Sequence, residues 1–200
     1  ELSGVVAIPV TPAKVIRGTH LNRAPDFTLN KSYQVTATTS AAPFNFRRLW
    51  KNADDLSARV WLCRDGDALR LRLESTDDIP CHSEAKTDAQ GDQVRLHFLA
   101  GNSVSEKEYA LFWPAPTLFA DGKPLSEATV EVQRKGVLTT WNIRLPLSVL
   151  GLSSDQLAES GLRFNVDVGD DDGDGMDSWM HLGEECPDAE NMRKAPLLFF

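Results

Sequence analysis

The sequence predicts an all-β fold, an antiparallel β-sandwich of jelly-roll type with one short helix, and three observations carry that prediction. Apolar residues alternate with polar ones along at least five segments, as strands with one buried face require. Turn-forming residues stand between those segments, at Asp65-Gly66-Asp67, Ala120-Asp121-Gly122-Lys123 and Arg134-Lys135-Gly136. Helical periodicity is scarce. Short strands at this spacing, about nine to eleven of them, make a sandwich or a barrel.

Taken in chain order, the first 45 residues are the least regular, because Pro9, Pro12, Pro25 and Pro43 interrupt any long strand. They read as an edge strand over residues 5–10 followed by a meandering cover. Leu69, Leu71 and Leu73 then alternate with Arg70, Arg72 and Glu74, and the turn over residues 64–68 makes a hairpin with the preceding strand. Val94, Leu96 and Phe98 alternate with Gln93, Arg95 and His97. Val130 and Val132 alternate with Glu131 and Gln133. After a second hairpin at Lys135-Gly136, Val137, Thr139, Trp141, Ile143 and Leu145 form an inward row. Residues 154–160 make a short helix, capped by Ser153 or Ser154 and stopped by Gly161. Leu162, Phe164, Val166 and Val168 form the last clear inward row, against Arg163, Asn165 and Asp167. No repeat or low-complexity linker divides the chain, so it reads as one domain over 1–200, an irregular 1–45 and a core over 46–200.

Composition narrows the function classes. At 200 residues the chain suffices for one well-filled core. A net charge of −8 argues against nucleic acid as a partner, since phosphate binding needs concentrated Lys and Arg. No apolar run approaches the roughly 20 residues that cross a bilayer, so no membrane partner is expected. The sequence begins at Glu1 without an initiator Met, which points to a processed product or a piece of a longer chain. Cys63, Cys81 and Cys186 fit no zinc spacing. One disulfide with one buried thiol would suit an exported protein, and three reduced thiols a cytosolic one. A secreted or periplasmic location is the expectation.

Residues 170–177 carry five aspartates in eight positions. Asp170, Asp172 and Asp174 followed by Gly175 fit the first half of a calcium loop, where alternate carboxylates converge on one hard cation and a glycine permits the turn. Position twelve is His181 rather than a bidentate Glu, so the segment is not an EF-hand. Calcium is therefore the expected cofactor, with Asp170, Asp172, Asp174 and Asp177 as ligands. Asp54, Asp55, Asp77, Asp78 and Asp92 are further candidates that turn and cap chemistry explains equally well. Nothing builds a catalytic site: there is no G-x-S-x-G, H-E-x-x-H or phosphate-binding glycine loop, and the four histidines are scattered. The protein reads as a binding protein, not an enzyme.

Among the five tryptophans, Trp141 lies on an inward row, whereas Trp50, Trp61 and Trp179 are candidate stacking platforms for a ligand. Arg59, Arg70, Arg72, Arg95, Arg144 and Arg163 fall on the polar side of their strands. Arg72 and Arg95 are the candidates for recognising carboxylates on an acidic glycan or a partner domain. The alternative is a cross-strand lattice that solvates the sheet.

Five segments, in order, resemble the carbohydrate-binding module family 9 group within the DOMON-like β-sandwiches. They are Asp54-Asp55-Leu56-Ser57-Ala58-Arg59-Val60, residues 69–78, Gly91-Asp92-Gln93-Val94-Arg95-Leu96, residues 143–151, and Phe164-Asn165-Val166-Asp167-Val168-Gly169-Asp170 with its acidic tail. The resemblance spans about residues 50–200. It implies a calcium-containing sandwich appended to secreted polysaccharide-degrading enzymes, hence a non-catalytic accessory module whose partner is carbohydrate. The alternative is a structural module that packs on a neighbouring catalytic domain and binds no sugar. The group clamps sugar between two tryptophans. Ala89 and the Asn191-Met192 region stand at those positions here, and neither is aromatic. Because the loops after Asp78 and Trp179 rim one end of the resembling fold, the resemblance also implies a Cys81–Cys186 disulfide.

Overall fold

The computed structural model of the chain describes residues 13–17, 19–37, 50–82, 91–100, 103, 105–172, 178–183 and 192–200. The predicted edge strand over residues 5–10 lies outside them. Fourteen strands and one α-helix follow in order: β1 (Ala13–Val15), β2 (Phe27–Leu29), β3 (Val35–Ala37), β4 (Leu56–Asp65), β5 (Ala68–Asp77), β6 (Gln93–Ala100), β7 (Lys107–Phe112), β8 (Leu118–Ala120), β9 (Lys123–Pro124), β10 (Thr129–Lys135), β11 (Leu138–Pro146), α1 (Ser154–Ser160), β12 (Leu162–Asp170), β13 (Ser178–His181) and β14 (Leu197–Phe199). A 3₁₀ turn over Ser32–Gln34 precedes β3.

They form two sheets. The five-stranded sheet runs β10-β11-β5-β4-β2, and the nine-stranded sheet runs β1-β14-β12-β6-β7-β8-β9, with β13 pairing both β12 and β3. The turn chemistry works as the sequence implies. Asp65 pairs Ala68 across Gly66-Asp67, and Lys135 pairs Leu138 across Gly136-Val137, with both glycines at positive φ. Val137 therefore sits in the turn, 48% exposed, rather than on the inward row that Thr139 begins. The pairing is antiparallel except for β1 with β14, which run parallel.

One core joins the sheets. Leu62, Leu71, Leu73, Trp141 and Ile143 of the smaller sheet share a cluster with Leu96, Phe98, Phe164, Val166 and Val168 of the larger. Each fully buried side chain of this size stabilises the fold by about 1.5–3 kcal/mol before the entropy of ordering it is subtracted. The helix α1 starts where a capping box allows. The Ser153 hydroxyl accepts from the Gln156 amide while the Gln156 side chain accepts from the Ser153 amide. Gly161 ends it at φ 69° with its amide donated to Leu157, and Leu157 is fully buried beneath.

The outward face of the larger sheet departs from simple alternation. Gln93, His97, Asn165 and Asp167 occupy the polar phase of β6 and β12, yet they are 1%, 2%, 0% and 6% exposed. A small second apolar cluster of Leu99, Met192 and Ala195 accompanies them, and the Arg163 guanidinium donates to the Ala195 carbonyl at 2.9 Å. The C-terminal segment thus packs on the end of this face at Leu99 and Arg163, and the polar groups buried beside it must satisfy one another.

Candidate functional site

Three regions hold the residues singled out from the sequence. The first is the acidic end, where β4 begins, β5 ends, β6 begins and β12 ends. Asp55 accepts from the Lys51 amide at 2.7 Å and from its ammonium at 2.8 Å. Asp77 accepts from Arg134 at 3.1 Å and from the Ile79 amide at 2.9 Å. Asp171, fully inside, accepts from the Gly91 amide at 2.6 Å and donates its own amide to Asp92 at 3.3 Å. Asp55, Asp77 and Asp171 therefore hold turns and neighbouring strands together. Asp92 is different. Burial first, then the charge of Asp77 and a hydrogen bond shared with it, push its carboxyl up to about 9 against the donated Cys81 and Asp171 amides. Burial also pushes the Asp172 carboxyl up, helped by Asp78, Asp55 and Asp77 and opposed by Lys51.

Of the four expected calcium ligands, Asp170 is buried and Asp172 half-buried beside this cluster, while Asp174 and Asp177 lie outside the described residues. The Asp172 Oδ1 is shielded from solvent without a hydrogen-bond partner. An all-oxygen set crowded enough to raise carboxyl pKa values has the chemistry of a hard-cation site. Among the described residues, however, no three carboxylate, thiol or imidazole side chains stand together as a metal-binding group. Cys81, at the same end, is a free thiol among the described residues, and Cys186, its expected partner in a bridge, lies outside them. Burial and then Asp171, Asp92, Asp77 and Asp172 push that thiol upward, away from thiolate. Trp50 stands nearby, half-buried against the core, its indole donating to the Leu56 carbonyl at 2.8 Å. The interior cavity here, lined by Asp77, Asp92, Trp113 and Trp141, is about 10 Å³, far too small for a sugar.

The second region is the outward face of the smaller sheet. Cross-strand register puts Trp61 beside Arg72 and Arg59 beside Glu74. Glu74 accepts from Arg59 at 2.6 Å and from Arg72. Arg144 pairs Asp67 at 3.1 Å and Arg70 approaches Asp65 at 3.9 Å. Trp61 is only 6% exposed, its indole donating to the Arg23 carbonyl at 2.6 Å and its ring lying under Arg72 and Arg59 at 5.3 and 5.8 Å. As placed, Trp61 is a packing residue rather than an open platform, and the arginines form a lattice with Glu74, Asp65 and Asp67. Arg95 and Arg163 belong to the other sheet, so the six arginines do not make one basic surface.

The third region is the outward face of the larger sheet. Register aligns Trp179, Gly169 and Gln93 in one row and His181, Asp167 and Arg95 in the next. Gly169 brings no side chain between Trp179 and Gln93. Trp179 is half-buried with the Arg95 guanidinium 4.7 Å from its ring centroid. Arg95 also approaches Glu108 at 4.0 Å. Thus the structure brings two of the predicted ligand residues, Trp179 and Arg95, into contact. Beneath and beside them runs a buried chain that the sequence reading did not assemble. Asp167 takes hydrogen bonds from both imidazoles, His97 Nε2 and His181 Nδ1, each at 2.8 Å, while His97 Nδ1 meets Glu106 at 2.6 Å. Burial would raise the Asp167 carboxyl, but the two imidazoles outweigh it and hold it below its ordinary value. Burial would likewise lower His97, and the bonds and charges of Asp167 and Glu106 outweigh it and raise it. The one signal for this buried chain was Leu99, an apolar residue on the polar phase of β6, and alternation by itself does not say that such a face is covered.

No family model and no curated protein matches the chain. Solved structures do. A family 9 carbohydrate-binding module from Caldicellulosiruptor kristjanssonii, solved with cellotriose, superposes at TM-score 0.63 with 13% identity, over 88% of this chain and 83% of that one. The same module with glucose gives 0.63 and 12% over the same shares. The chain has the family 9 fold. A Bacteroides uniformis protein described as a candidate carbohydrate binder also matches, at TM-score 0.55 and 9% identity over 93% of this chain and 96% of that one. The structural likeness covers 88% of the chain, more than the span of about residues 50–200 over which the sequence resembles the group.

Proposed function

We propose that this chain is a non-catalytic carbohydrate-binding module whose ligand face is the outward side of the larger sheet, around Trp179 and Arg95. The observation that carries the reading is the Trp179–Arg95 pair on a face rich in buried hydrogen-bonding groups, in a fold shared with modules solved with sugars. The indole is half-buried where Trp61 is buried, so the part of it that Arg95 leaves uncovered offers an apolar plate for a sugar ring, and the guanidinium over it offers a fork of donors for hydroxyls or a carboxylate. Identity of about 13% leaves the sugar open to this chain's own residues. With Ala89 at one clamp position and Met192 buried against Leu99 and Ala195 at the other, Trp179 stands in for the two-tryptophan clamp.

We assign calcium a stabilising role at the acidic end, through Asp170, Asp172, Asp174 and Asp177, where the cation would neutralise carboxylates that now depend on protons and lysine. An exported protein appended to a glycan-active enzyme is the setting this reading fits, and carbohydrate the partner. A screen of neutral and acidic glycans, repeated with Trp179→Ala and Arg95→Ser, tests it. Binding that both substitutions reduce at least tenfold is expected. Binding that survives both, or a folded protein that binds no glycan, overturns it and leaves the alternative of a structural module docked on a catalytic domain.

A further inference from the structure

The chain of hydrogen bonds through His97 has a consequence of its own, independent of any sugar. His97 lies on β6, 2% exposed, with a carboxylate oxygen on each ring nitrogen, Glu106 at 2.6 Å on Nδ1 and Asp167 at 2.8 Å on Nε2. A neutral imidazole has one N–H and one lone pair. It can donate to one of these carboxylates, but must then point its lone pair at the other. Only the imidazolium donates to both. The groups around it are mixed in sign: Glu108 on β7 approaches Nδ1 at 4.0 Å and Arg95 on β6 in turn approaches Glu108 at 4.0 Å. From β12 come Asp167 and the neutral Asn165 that pairs with His97, and from β13 comes His181, whose Nδ1 donates to Asp167. Lys107, exposed on β7, completes the charged groups here among the described residues.

What the Glu106 contact holds is a short segment rather than a strand. Residues 105 and 106 precede β7, and with Lys107, Glu108, Tyr109, Asp121 and Glu127 they wall a surface cavity of about 430 Å³. Within this wall, residues 107–109 are fastened by the β6–β7 ladder and Glu108 stands 4.0 Å from the imidazole, whereas Glu106, ahead of the strand, is tied to the buried face by its hydrogen bond to His97.

We propose that His97 is a pH-sensitive latch whose imidazolium form fastens the segment at Ser105–Glu106, and with it one wall of this cavity, to the larger sheet. The raised pKa of His97 agrees with that geometry. The direction of the response follows. Where the fastened state keeps its proton and the released state has lost it, release is favoured by up to about tenfold for each pH unit. Asp167 keeps its hold on Nε2 after release, so that window opens above the ordinary histidine value of about 6.5 and closes at the raised value of His97. Below it the latch stays shut.

The test needs no ligand. Nitrogen NMR of the His97 imidazole in the intact chain should find both ring nitrogens protonated at pH 7. Hydrogen exchange at residues 105–108, corrected for the intrinsic pH dependence of exchange, should then rise by up to about tenfold per pH unit within the window. Glu106→Gln, at a partly exposed position, should lower the His97 pKa and abolish that extra pH dependence while the fold is kept. A singly protonated His97 at pH 7 would overturn the proposal. So would corrected exchange that is flat with pH, or an unchanged pH response in Glu106→Gln.

Discussion

Asp167 is the residue on which the outward face of the larger sheet is organised. It accepts from two imidazoles, and it does so at 6% exposure, where an unmatched charge is expensive. Asp167→Asn keeps the shape but removes the charge and turns an amide against one of the imidazoles. A loss of roughly 3 kcal/mol in urea unfolding is expected, and a loss below about 1 kcal/mol would show the network to be dispensable. The pH dependence has two signs. The lowered Asp167 contributes stability that is present above its unfolded value near 3.9 and lost as pH falls through its folded value. The raised His97 contributes stability that is full below about 6.5 and lost as pH rises through its folded value. The network therefore stabilises most between about pH 4 and 6.5, and Asp167→Asn should flatten both flanks. None of this was legible from alternation alone. Period two tells which residues share a face, so His97 and Asp167 were correctly placed on the side opposite Phe98 and Val168. It says nothing about whether that side is wet, and the partners that close it are distant in sequence: Met192 and Ala195 on Leu99, and His181 on Asp167.

At the level of elements, what local chemistry specifies was readable. The hairpins at Gly66 and Gly136 need positive φ, and the helix needs a serine cap and a glycine stop, so few residues sufficed to predict each. Gly161→Ala is the sharpest check of the stop. A Cβ there would meet the Leu198 carbonyl oxygen at 2.7 Å, on top of the positive φ. A destabilisation of about 1–3 kcal/mol is expected, and a neutral substitution would mean that β14 yields readily. Pairings set by distant contacts were not readable, such as the parallel β1–β14 ladder and the division of one edge of β12 between β14 and β13. The acidic loop falls between these cases. Its spacing is the ground on which we propose a hard cation, and the raised Asp92 and Asp172 carboxyls are what such a cation would relieve. At one hundred times its dissociation constant, calcium should add about 2.7 kcal/mol by linkage, visible as a higher Tm that chelation reverses. An unchanged Tm after exhaustive chelation, with no metal on elemental analysis, would remove calcium from the account.

For the whole molecule, the fold was the easiest property to read and the ligand the hardest. A sandwich survives 13% identity because inward positions need only be apolar and of about the right size, whereas a sugar site depends on a few side chains that this chain has changed. Of the aromatic candidates, Trp61 is covered by Arg59 and Arg72, and Trp50 packs against the core with its indole committed to Leu56. Trp179, half-buried under Arg95 where Trp61 is 6% exposed, is what remains, on the larger sheet. Arg72, on the opposite sheet, serves as the internal control. The most direct test is to map amide chemical-shift changes while titrating the intact chain with cello-oligosaccharides and with uronic-acid oligosaccharides. The account predicts saturable shifts centred on residues 93–97, 167–169 and 178–181, lost in Trp179→Ala and kept in Arg72→Ser. Shifts centred on the smaller sheet, or no saturable shift with any of these sugars, would contradict it.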